Sequence, residues 1–385
     1  MLAFEYYQPT KIIFGQGCFK RLGEVVQSHG RKALLVIGQR ALRKLGILDK
    51  AVELIEKHVA TISICEGIKP NPTSQSVTAC AEKVKTEGID VIVSIGGGSV
   101  MDAARAISLA LTHPGNFWEY RLTGNKGITK IENKLIPVIT VPTTAGTGSE
   151  ISPAAIISGG SSKEVIVSSY MFPKVALVDP ELTFSLPQDL TAQIGLDALV
   201  QSIEAFVSKN ANPVSDLYAQ ESIRLAFENI IKAVSHGSDV LSRSNMLLAG
   251  LLSSKAINLA GVGAVHALSD PLSGRYNISH GLALSLILPE VVEHNLDSNF
   301  EKYARLGKLL GEDTDRMTSK KAAQKTLEAI EKLLVELGLT KRLRDFGITE
   351  SDIEIFAPEA INPDIGCNPK ELNIEDIKDI YRKAL

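Results

Sequence analysis

The sequence predicts an α/β domain followed by an all-helical domain, and two observations carry this prediction. In the first half, short apolar runs rich in β-branched residues alternate with amphipathic segments of helical period. Continuous apolar runs are typical of parallel strands covered on both faces, so the alternation predicts a doubly wound sheet. After about residue 185 the strand-like runs largely stop and long helical patterns replace them. We therefore expect domains at 1–185 and 186–385.

Each predicted element follows from its local pattern. Strands are expected at KALLVIG (32–38), TISICEGI (61–68), DVIVSIGG (90–97), IPVITVPTT (136–144) and VALVDP (175–180). Between them, amphipathic helices are expected at 48–59 and 76–88. The stretch 157–164 has the glycines and serines of a surface loop or hairpin turn. The helical half starts at 186–208, where Pro187 suits the first helical turn, and it ends at 375–385.

Composition narrows the class of protein. The 385 residues include 41 Lys+Arg and 44 Asp+Glu, with 44% hydrophobic residues, as in ordinary globular chains. This charge balance argues against a dedicated nucleic-acid binder or a membrane-surface protein. No apolar stretch reaches the roughly 18 residues of a membrane span, and the N-terminus does not resemble a signal peptide. The cysteines form no CxxC pair, which predicts no disulfide framework and favours the cytoplasm; they are Cys18, Cys65, Cys80 and Cys367.

A glycine-rich turn follows the predicted strand at 90–97. There three consecutive glycines, Gly96–Gly98, and Ser99 lead into a predicted helix. Glycines let a ligand approach the backbone, and a helix N-terminus with free N–H groups suits a pyrophosphate. The turn is not the GxGxxG fingerprint. The alternative is a tight turn that Ser99 caps, with Asp102 completing a capping box.

A second loop, VPTTAGTGSE (141–150), also follows a predicted strand. It combines small residues with the hydroxyls of Thr143, Thr144, Thr147 and Ser149. Such loops line crevices and bond ribose, phosphate or a base, although an ordinary polar loop has the same composition. Two of them at the ends of neighbouring strands favour a nucleotide crevice.

Two of the seven histidines stand near carboxylates in apolar helical segments. Asp197 is followed by Gln201 four residues later, and His266 is followed by Asp270 at the same spacing. His280 lies 14 residues after His266. Asp and His side chains together suit zinc or iron(II) as ligands. The alternative is that each is an ordinary core or surface residue, since sequence spacing cannot show that they converge. The other histidines are expected in loops or on charged helices: His29, His58, His113, His236 and His294.

Together these motifs identify a family resemblance. The chain resembles the iron-containing type of metal-dependent alcohol dehydrogenases, which have a dehydroquinate synthase-like architecture. The matching motifs run in the same order along nearly the whole chain: GIKPNPT (67–73), IGGGSVMDAARAI (95–107), IPVITVPTTAGTGSE (136–150), FPKVALVDPELTFSLP (172–187), GLDALVQSIEAF (195–206), VHALSDPL (265–272), SHGLALSLILPEV (279–291) and DIYRKAL (379–385).

The resemblance implies a fold, an activity and a cofactor site. It implies an α/β dinucleotide-binding domain, a helical metal- and substrate-binding domain, a catalytic cleft between them, and a homodimer. It implies reversible hydride transfer between a small alcohol or aldehyde and NAD(P). By motif position, the cofactor contacts that it implies are Gly38, Asn71, Gly97, Gly98, Ser99, Asp102, Thr143, Thr144, Thr147, Lys163 and Leu182.

The implied metal site departs from the family at one position. The family pattern is one Asp and three His, with the first two in a DALxH motif. Here the motif is DALVQ, so Asp197 is kept, Gln201 replaces the first histidine, and His266 and His280 match the others. In one alternative Gln201 coordinates weakly or through water, leaving the three-ligand arrangement typical of catalytic zinc. In the other, metal affinity is largely lost. We expect the three-ligand site, with zinc favoured over iron.

Two further departures concern the substrate. Asp270 stands where many family members have a histidine near the nicotinamide, so it serves either in proton relay or as an ordinary helix-face carboxylate. Arg275 stands where apolar or aromatic residues are common. An arginine facing the cleft would bind an anionic substrate group, and the alternative is a solvated or structural arginine.

The turn after the first expected strand bears on cofactor preference. NAD-preferring relatives often carry an acidic residue there, but this turn has Gly38, Gln39 and Arg40. Without the acid, Arg40 is able to pair with a 2′-phosphate, which favours NADP(H).

Two other functions compete with the dehydrogenase. One is a lyase or cyclase that uses NAD transiently, as dehydroquinate synthase does. The other is a nucleotide-binding protein that has lost its metal and its turnover, which Gln201 suggests. The TTAGTGSE and PNPT motifs favour the dehydrogenase.

Overall fold

The computed structural model describes residues 3–122, 131, 134–159 and 162–385. Within it the chain forms two compact units. The first is Tyr7–Ser185, and the second is Leu186–Leu385 together with the N-terminal segment that ends at Tyr6.

The first unit is an α/β fold. Its strands are β1 (Lys11–Phe14), β2 (Lys32–Gly38), β3 (Thr61–Ile68), β4 (Val91–Gly96), β5 (Val138–Pro142), β6 (Ala154–Gly159), β7 (Ser162–Val167) and β8 (Val175–Val178). Its α-helices are α1 (Leu22–Gln27), α2 (Ala41–Lys44), α3 (Ile47–Glu56), α4 (Ser74–Val84) and α5 (Gly98–Thr112). Six strands form one parallel sheet in the order β1-β8-β5-β4-β2-β3, which confirms the predicted architecture.

Apolar side chains cover both faces of this sheet. Along β2, Leu34 and Val36 belong to one buried cluster, whereas Leu35 and Ile37 belong to the cluster on the other face. Successive strand residues point to opposite faces, so a nearly continuous apolar run buries both. This is the reason that the five predicted strands could be found from their apolar runs.

Two features of this unit go beyond the predicted strands. The sheet gains β1, an edge strand of four residues that pairs with β8. The stretch expected to be a loop or hairpin turn forms an antiparallel hairpin of β6 and β7, with Ala154 opposite Val167. Residues 160–161 of that stretch lie outside the described residues.

The cysteine pattern predicts no disulfide framework, but the structure pairs two of the cysteines. Cys65 of β3 is bonded to Cys80 of α4, and both are buried. The two are 15 residues apart in sequence, and only the packing of α4 against β3 brings them together. Cys18 and Cys367 are free thiols.

In the second unit, residues 186–385 form helices joined by loops and contain no strand. Its α-helices are α6 (Gln188–Val207), α7 (Pro213–Ser235), α8 (Val240–Ala260), α9 (Ala264–Tyr276), α10 (His280–Asn295), α11 (Phe300–Leu309), α12 (Ser319–Glu336), α13 (Glu350–Phe356) and α14 (Ile374–Ala384). Pro187 is the residue just before α6, and α6 is the central helix, packed against α7, α8 and α10. Among the described residues no single helix is long and apolar enough to cross a membrane, although α8 and α9 together, as a bent pair, meet the length and composition criteria.

Candidate functional site

Helix α6 presents a row of polar side chains in an otherwise apolar interior. Asp197, Gln201 and Glu204 follow one another at spacings of four and three residues, which places them on one helical face. They are only 4–5% exposed. Polar side chains buried in a protein interior need hydrogen-bonding or charged partners, so this row indicates a specific polar site.

Two histidines face this row from the first turns of neighbouring helices. His280 is the first residue of α10, and a Cβ at Gly281 would lie 2.2 Å from the Gln193 carbonyl oxygen of α6. Glycine therefore allows the start of α10 to touch α6 one turn before Asp197. Ser279 strengthens this contact by donating a hydrogen bond to Gln193 Oε1 over 2.6 Å. His266 is brought in by the start of α9.

Asp197, His266 and His280 converge as a candidate metal site. Nε2 of His266 lies 3.5 Å from Oδ1 of Asp197, and Nε2 of His280 lies 3.7 Å from the same oxygen. One ligand atom from each residue fits within 4.8 Å of the others. In tetrahedral zinc with bonds of roughly 2.0–2.1 Å, ligand atoms are about 3.3 Å apart, so the observed spacing fits a transition metal.

Gln201 lies beside the cluster, but its oxygen is engaged elsewhere. Its Nε2 donates a hydrogen bond to Asp197 Oδ1 over 3.0 Å, and its Oε1 accepts one from the Ser253 hydroxyl over 2.9 Å. The reverse amide orientation would set two acceptor oxygens against each other. The only atom of Gln201 suited to bind a metal is thus bonded to Ser253.

Glu204 is a member of the site that the sequence analysis did not select. Its Oε2 accepts a hydrogen bond from Nδ1 of His266 over 2.5 Å. Burial opposes protonation of the His266 imidazole, but the Glu204 and Asp197 carboxylates outweigh it and raise the pKa of His266 to about 10. The spacing of seven residues from Asp197 was the available signal, because it keeps Glu204 on the same helical face.

The two predicted substrate residues lie further along α9. Asp270 follows His266 by one helical turn, in the same helix. Arg275 is paired with Glu359: Nε donates to Oε2 over 2.9 Å, and Nη2 contacts Oε1. The Arg275 charge is therefore already matched by a carboxylate.

The two predicted nucleotide loops meet in the first unit. Strands β4 and β5 are neighbours, with Gly96 opposite Pro142, so the loops that follow them leave the same edge. A Cβ at Gly97 would lie 3.2 Å from Thr144, and one at Gly98 would lie 3.4 Å from Thr147. The glycines thus allow the two loops to lie close together at the start of α5.

Asn71 joins the same group through Ser99. Its backbone has φ 53°, a left-handed conformation that asparagine adopts more readily than most residues, and its N–H donates to Ser99 Oγ over 3.3 Å. Helix α5 has Gly97 at its N-cap without a side-chain cap, so the alternative of a turn capped by Ser99 is not what the structure shows.

Asp102 is held by protein groups on both oxygens. Oδ1 accepts hydrogen bonds from Arg105 Nη2 over 2.5 Å and from Ser149 Oγ over 2.9 Å, and Oδ2 accepts one from the Ile156 backbone over 3.3 Å. Arg105 is 1% exposed and also donates to the Ser149 carbonyl. This buried cluster links α5 to the second loop. Sequence reasoning missed Arg105, since a single arginine in a helix usually faces solvent.

The remaining predicted cofactor residues are spread around the strand ends. Gly38 ends β2, and the backbone N–H of Thr143 donates to the Gly96 carbonyl over 3.0 Å. Leu182 is buried in the turn after β8. Lys163 lies instead on the β6–β7 hairpin, opposite Ser158.

Comparison with known proteins agrees with both units. The family described as "Iron-containing alcohol dehydrogenase" matches residues 9–180, and "Fe-containing alcohol dehydrogenase family, C-terminal" matches residues 191–385. The chain is 36% identical to the 1,3-propanediol dehydrogenase of Klebsiella pneumoniae, over 99% of this chain and 98% of that protein. It is 32% identical to the NAD-dependent methanol dehydrogenase of Bacillus methanolicus, over 99% of both.

A solved structure shows the same likeness in three dimensions. The crystal structure of a 1,3-propanediol oxidoreductase superposes with a TM-score of 0.95 at 37% identity and covers 100% of both chains. Family matches to both halves, full-length relatives above 30% identity and the whole-chain superposition all agree. The chain therefore belongs to the iron-containing alcohol dehydrogenase family and is an alcohol oxidoreductase.

Proposed function

We propose that this oxidoreductase interconverts small uncharged alcohols and aldehydes with NAD(P), using a divalent metal held by Asp197, His266 and His280. The observation that carries the proposal is that both histidines approach the same carboxylate oxygen of Asp197, so that the three side chains form one cluster. Three protein ligands with an open fourth position are usual for a catalytic metal.

The residues of the cluster have distinct roles in this proposal. A divalent metal bound there would polarise the alcohol oxygen as a Lewis acid, while the nicotinamide would accept the hydride. Asp197 supplies the negative charge of the site, and Gln201 holds that carboxylate in place. The His280 side chain is 37% exposed, so one side of the cluster is open to a small molecule. We assign proton uptake from the alcohol to the Asp270 carboxylate.

Zinc is the metal we propose. The donor set of two imidazoles and one carboxylate suits both zinc and iron(II). Three protein ligands and one open position match the usual zinc arrangement, and Gln201 takes the place of the third imidazole that the family resemblance implies.

The charges around the cluster favour uncharged substrates. Asp197, Glu204 and Asp270 lie in or next to the metal site, and burial raises the pKa of the nearby Asp364 to about 6, which leaves it ionised above that pH. Four carboxylates outweigh one divalent ion. Arg275 is already paired with Glu359, so the anion site predicted there is disfavoured, although it stays a prediction.

We propose that the cofactor binds at the two loops that follow β4 and β5. Gly97, Gly98 and Ser99 at the start of α5 offer free backbone N–H groups to a pyrophosphate. Arg40, exposed just beyond the end of β2, supports NADP(H), whereas the methanol dehydrogenase relative is named for NAD. The ratio of kcat/KM with NADPH and NADH, in wild type and in Arg40→Ala, decides between them.

The proposal is tested by aldehyde reduction before and after chelator dialysis. Neutral and anionic aldehydes are assayed with both cofactors, and zinc or iron(II) is then added back. We expect turnover of neutral aldehydes that chelation abolishes and metal restores. Turnover that survives complete metal removal would refute the metal role, and a preference for anionic aldehydes that Arg275→Ala abolishes would refute the substrate class. Light scattering tests the homodimer that the family resemblance implies.

A further inference from the structure

Glu204 makes its two hydrogen bonds to adjacent residues at the start of α9. Its Oε1 accepts from the Val265 backbone N–H over 2.6 Å, and its Oε2 accepts from His266 Nδ1 over 2.5 Å. The residue is 5% exposed, so these two hydrogen-bond donors, rather than water, stabilise its negative charge.

We propose that Glu204 is a positioning residue that fixes the tautomer and the direction of the His266 ring, an inference that rests on the proposed function. A carboxylate oxygen can only accept, so the hydrogen of the neutral imidazole is held on Nδ1. The lone pair is then on Nε2, the nitrogen that faces Asp197 at 3.5 Å. Such a partner also increases the donor strength of a ligating imidazole.

The start of α9 is built around this carboxylate. The helix has Gly263 at its N-cap and no side-chain cap of its own, so its first N–H groups need partners from elsewhere. Glu204 provides one of them from α6. A Cβ at Gly263 would lie 3.1 Å from Glu204 Oε1, so glycine at this position lets the carboxylate approach.

One helix thereby positions two of the three proposed metal ligands. Helix α6 carries Asp197 itself and, two turns later, the carboxylate that orients His266. With Gln201 in place of an imidazole, the site has few donors, and the orientation of each one matters more. Glu204 thus supports metal binding without touching the metal.

The test is the metal affinity of Glu204→Gln. Glutamine keeps the size of the side chain and can still accept from Val265, but it presents an N–H₂ donor to His266 Nδ1. This favours the tautomer whose Nε2 carries the hydrogen and cannot ligate. We expect the zinc dissociation constant, measured by chelator competition, to rise about 10–100-fold. We also expect the visible absorption of the cobalt(II)-substituted protein to change, which a merely structural role would not predict.

Two variants complete the design. Asp189→Asn removes a carboxylate from the exposed first turn of the same helix and should bind zinc as wild type does. Glu204→Asp keeps the charge but withdraws it by one methylene, so it should also weaken zinc binding. It replaces the glutamine variant in the test if that variant does not fold. Wild-type affinity and an unchanged cobalt spectrum in a folded Glu204 variant would overturn this inference alone. A wild-type chain that takes up no metal would refute the proposed function and this inference with it.

Discussion

Gln201 donates a hydrogen bond from Nε2 to Oδ1 of Asp197 over 3.0 Å, and this is the carboxylate oxygen that faces both histidines. The amide therefore acts on the cluster through its hydrogen. Ser253 fixes the orientation by donating to the amide oxygen. A residue that replaces an expected ligand has here become a support for the neighbouring one.

Gln201→Leu tests this support. Leucine has nearly the same size but no donor, so Asp197 loses its hydrogen bond and is free to rotate. Loss of such an outer partner typically weakens metal binding about 10–100-fold, which chelator competition measures. The matched control is Gln220→Leu on α7, where the side chain bonds only the Asp216 carbonyl. Equal zinc affinity in the two variants would show that the amide does not support the site.

Gly97→Ala tests the proposed seat of the cofactor. The added methyl would lie 3.2 Å from Thr144 Cγ2, closer than ordinary van der Waals contact, so the two loops would have to shift apart. We expect the KM for the cofactor to rise about tenfold, equivalent to ~1.4 kcal/mol of binding, with little change in kcat at saturation. Gly366→Ala is the control, since a Cβ there meets no atom within 4 Å. An unchanged cofactor KM in Gly97→Ala would place the cofactor elsewhere.

Arg105→Met tests the buried cluster at the start of α5. The change leaves the Asp102 carboxylate without its cationic partner, and of the two side chains that hold it only Ser149 remains. Breaking a buried ion pair on one side costs about 3–5 kcal/mol of unfolding free energy, measured by urea denaturation. Arg224→Met breaks exposed pairs on α7 and should cost less than about 1 kcal/mol. Similar costs for both variants would mean that the Asp102 charge is compensated by other means.

Glu150→Gln tests a pH dependence of stability. Burial raises the pKa of Glu150 from 4.5 to about 7, although backbone hydrogen bonds and Arg105 act in the opposite direction. A raised carboxyl pKa contributes stability that is complete below pH 4.5 and is lost as the pH rises through 7. Relative to wild type, the glutamine variant should therefore gain about 2–3 kcal/mol of unfolding free energy between pH 5 and pH 8.

The control for this prediction is Glu82→Gln, an exposed carboxylate on α4 of the same unit. Its unfolding free energy should follow that of wild type across the same pH range. A parallel profile for Glu150→Gln would mean that Glu150 does not titrate in this range.

The sequence predicted the parts of the molecule that depend on local pattern. Apolar runs located five of the six strands of the sheet, including the edge strand β3, but β1 was missed because it has four residues and only one buried side chain. Helical spacing linked Asp197 to Gln201 but was not followed one turn further to Glu204.

Contacts between distant segments could not be read from pattern. The pairing of Arg275 with Glu359 spans 84 residues, and that of Arg105 with Ser149 spans 44. Both depend on how helices and loops pack. The same limit explains why the spacing of Asp197, His266 and His280 could suggest a metal but could not show that the three side chains meet.

Metal content per chain tests the central claim most directly. Protein purified without chelator is analysed by elemental mass spectrometry, for wild type and for His266→Ala and His280→Ala. The account predicts about one zinc or iron ion per wild-type chain and loss of that ion in both variants. A wild-type chain that holds no metal and reduces aldehydes at a rate unaffected by EDTA would contradict it.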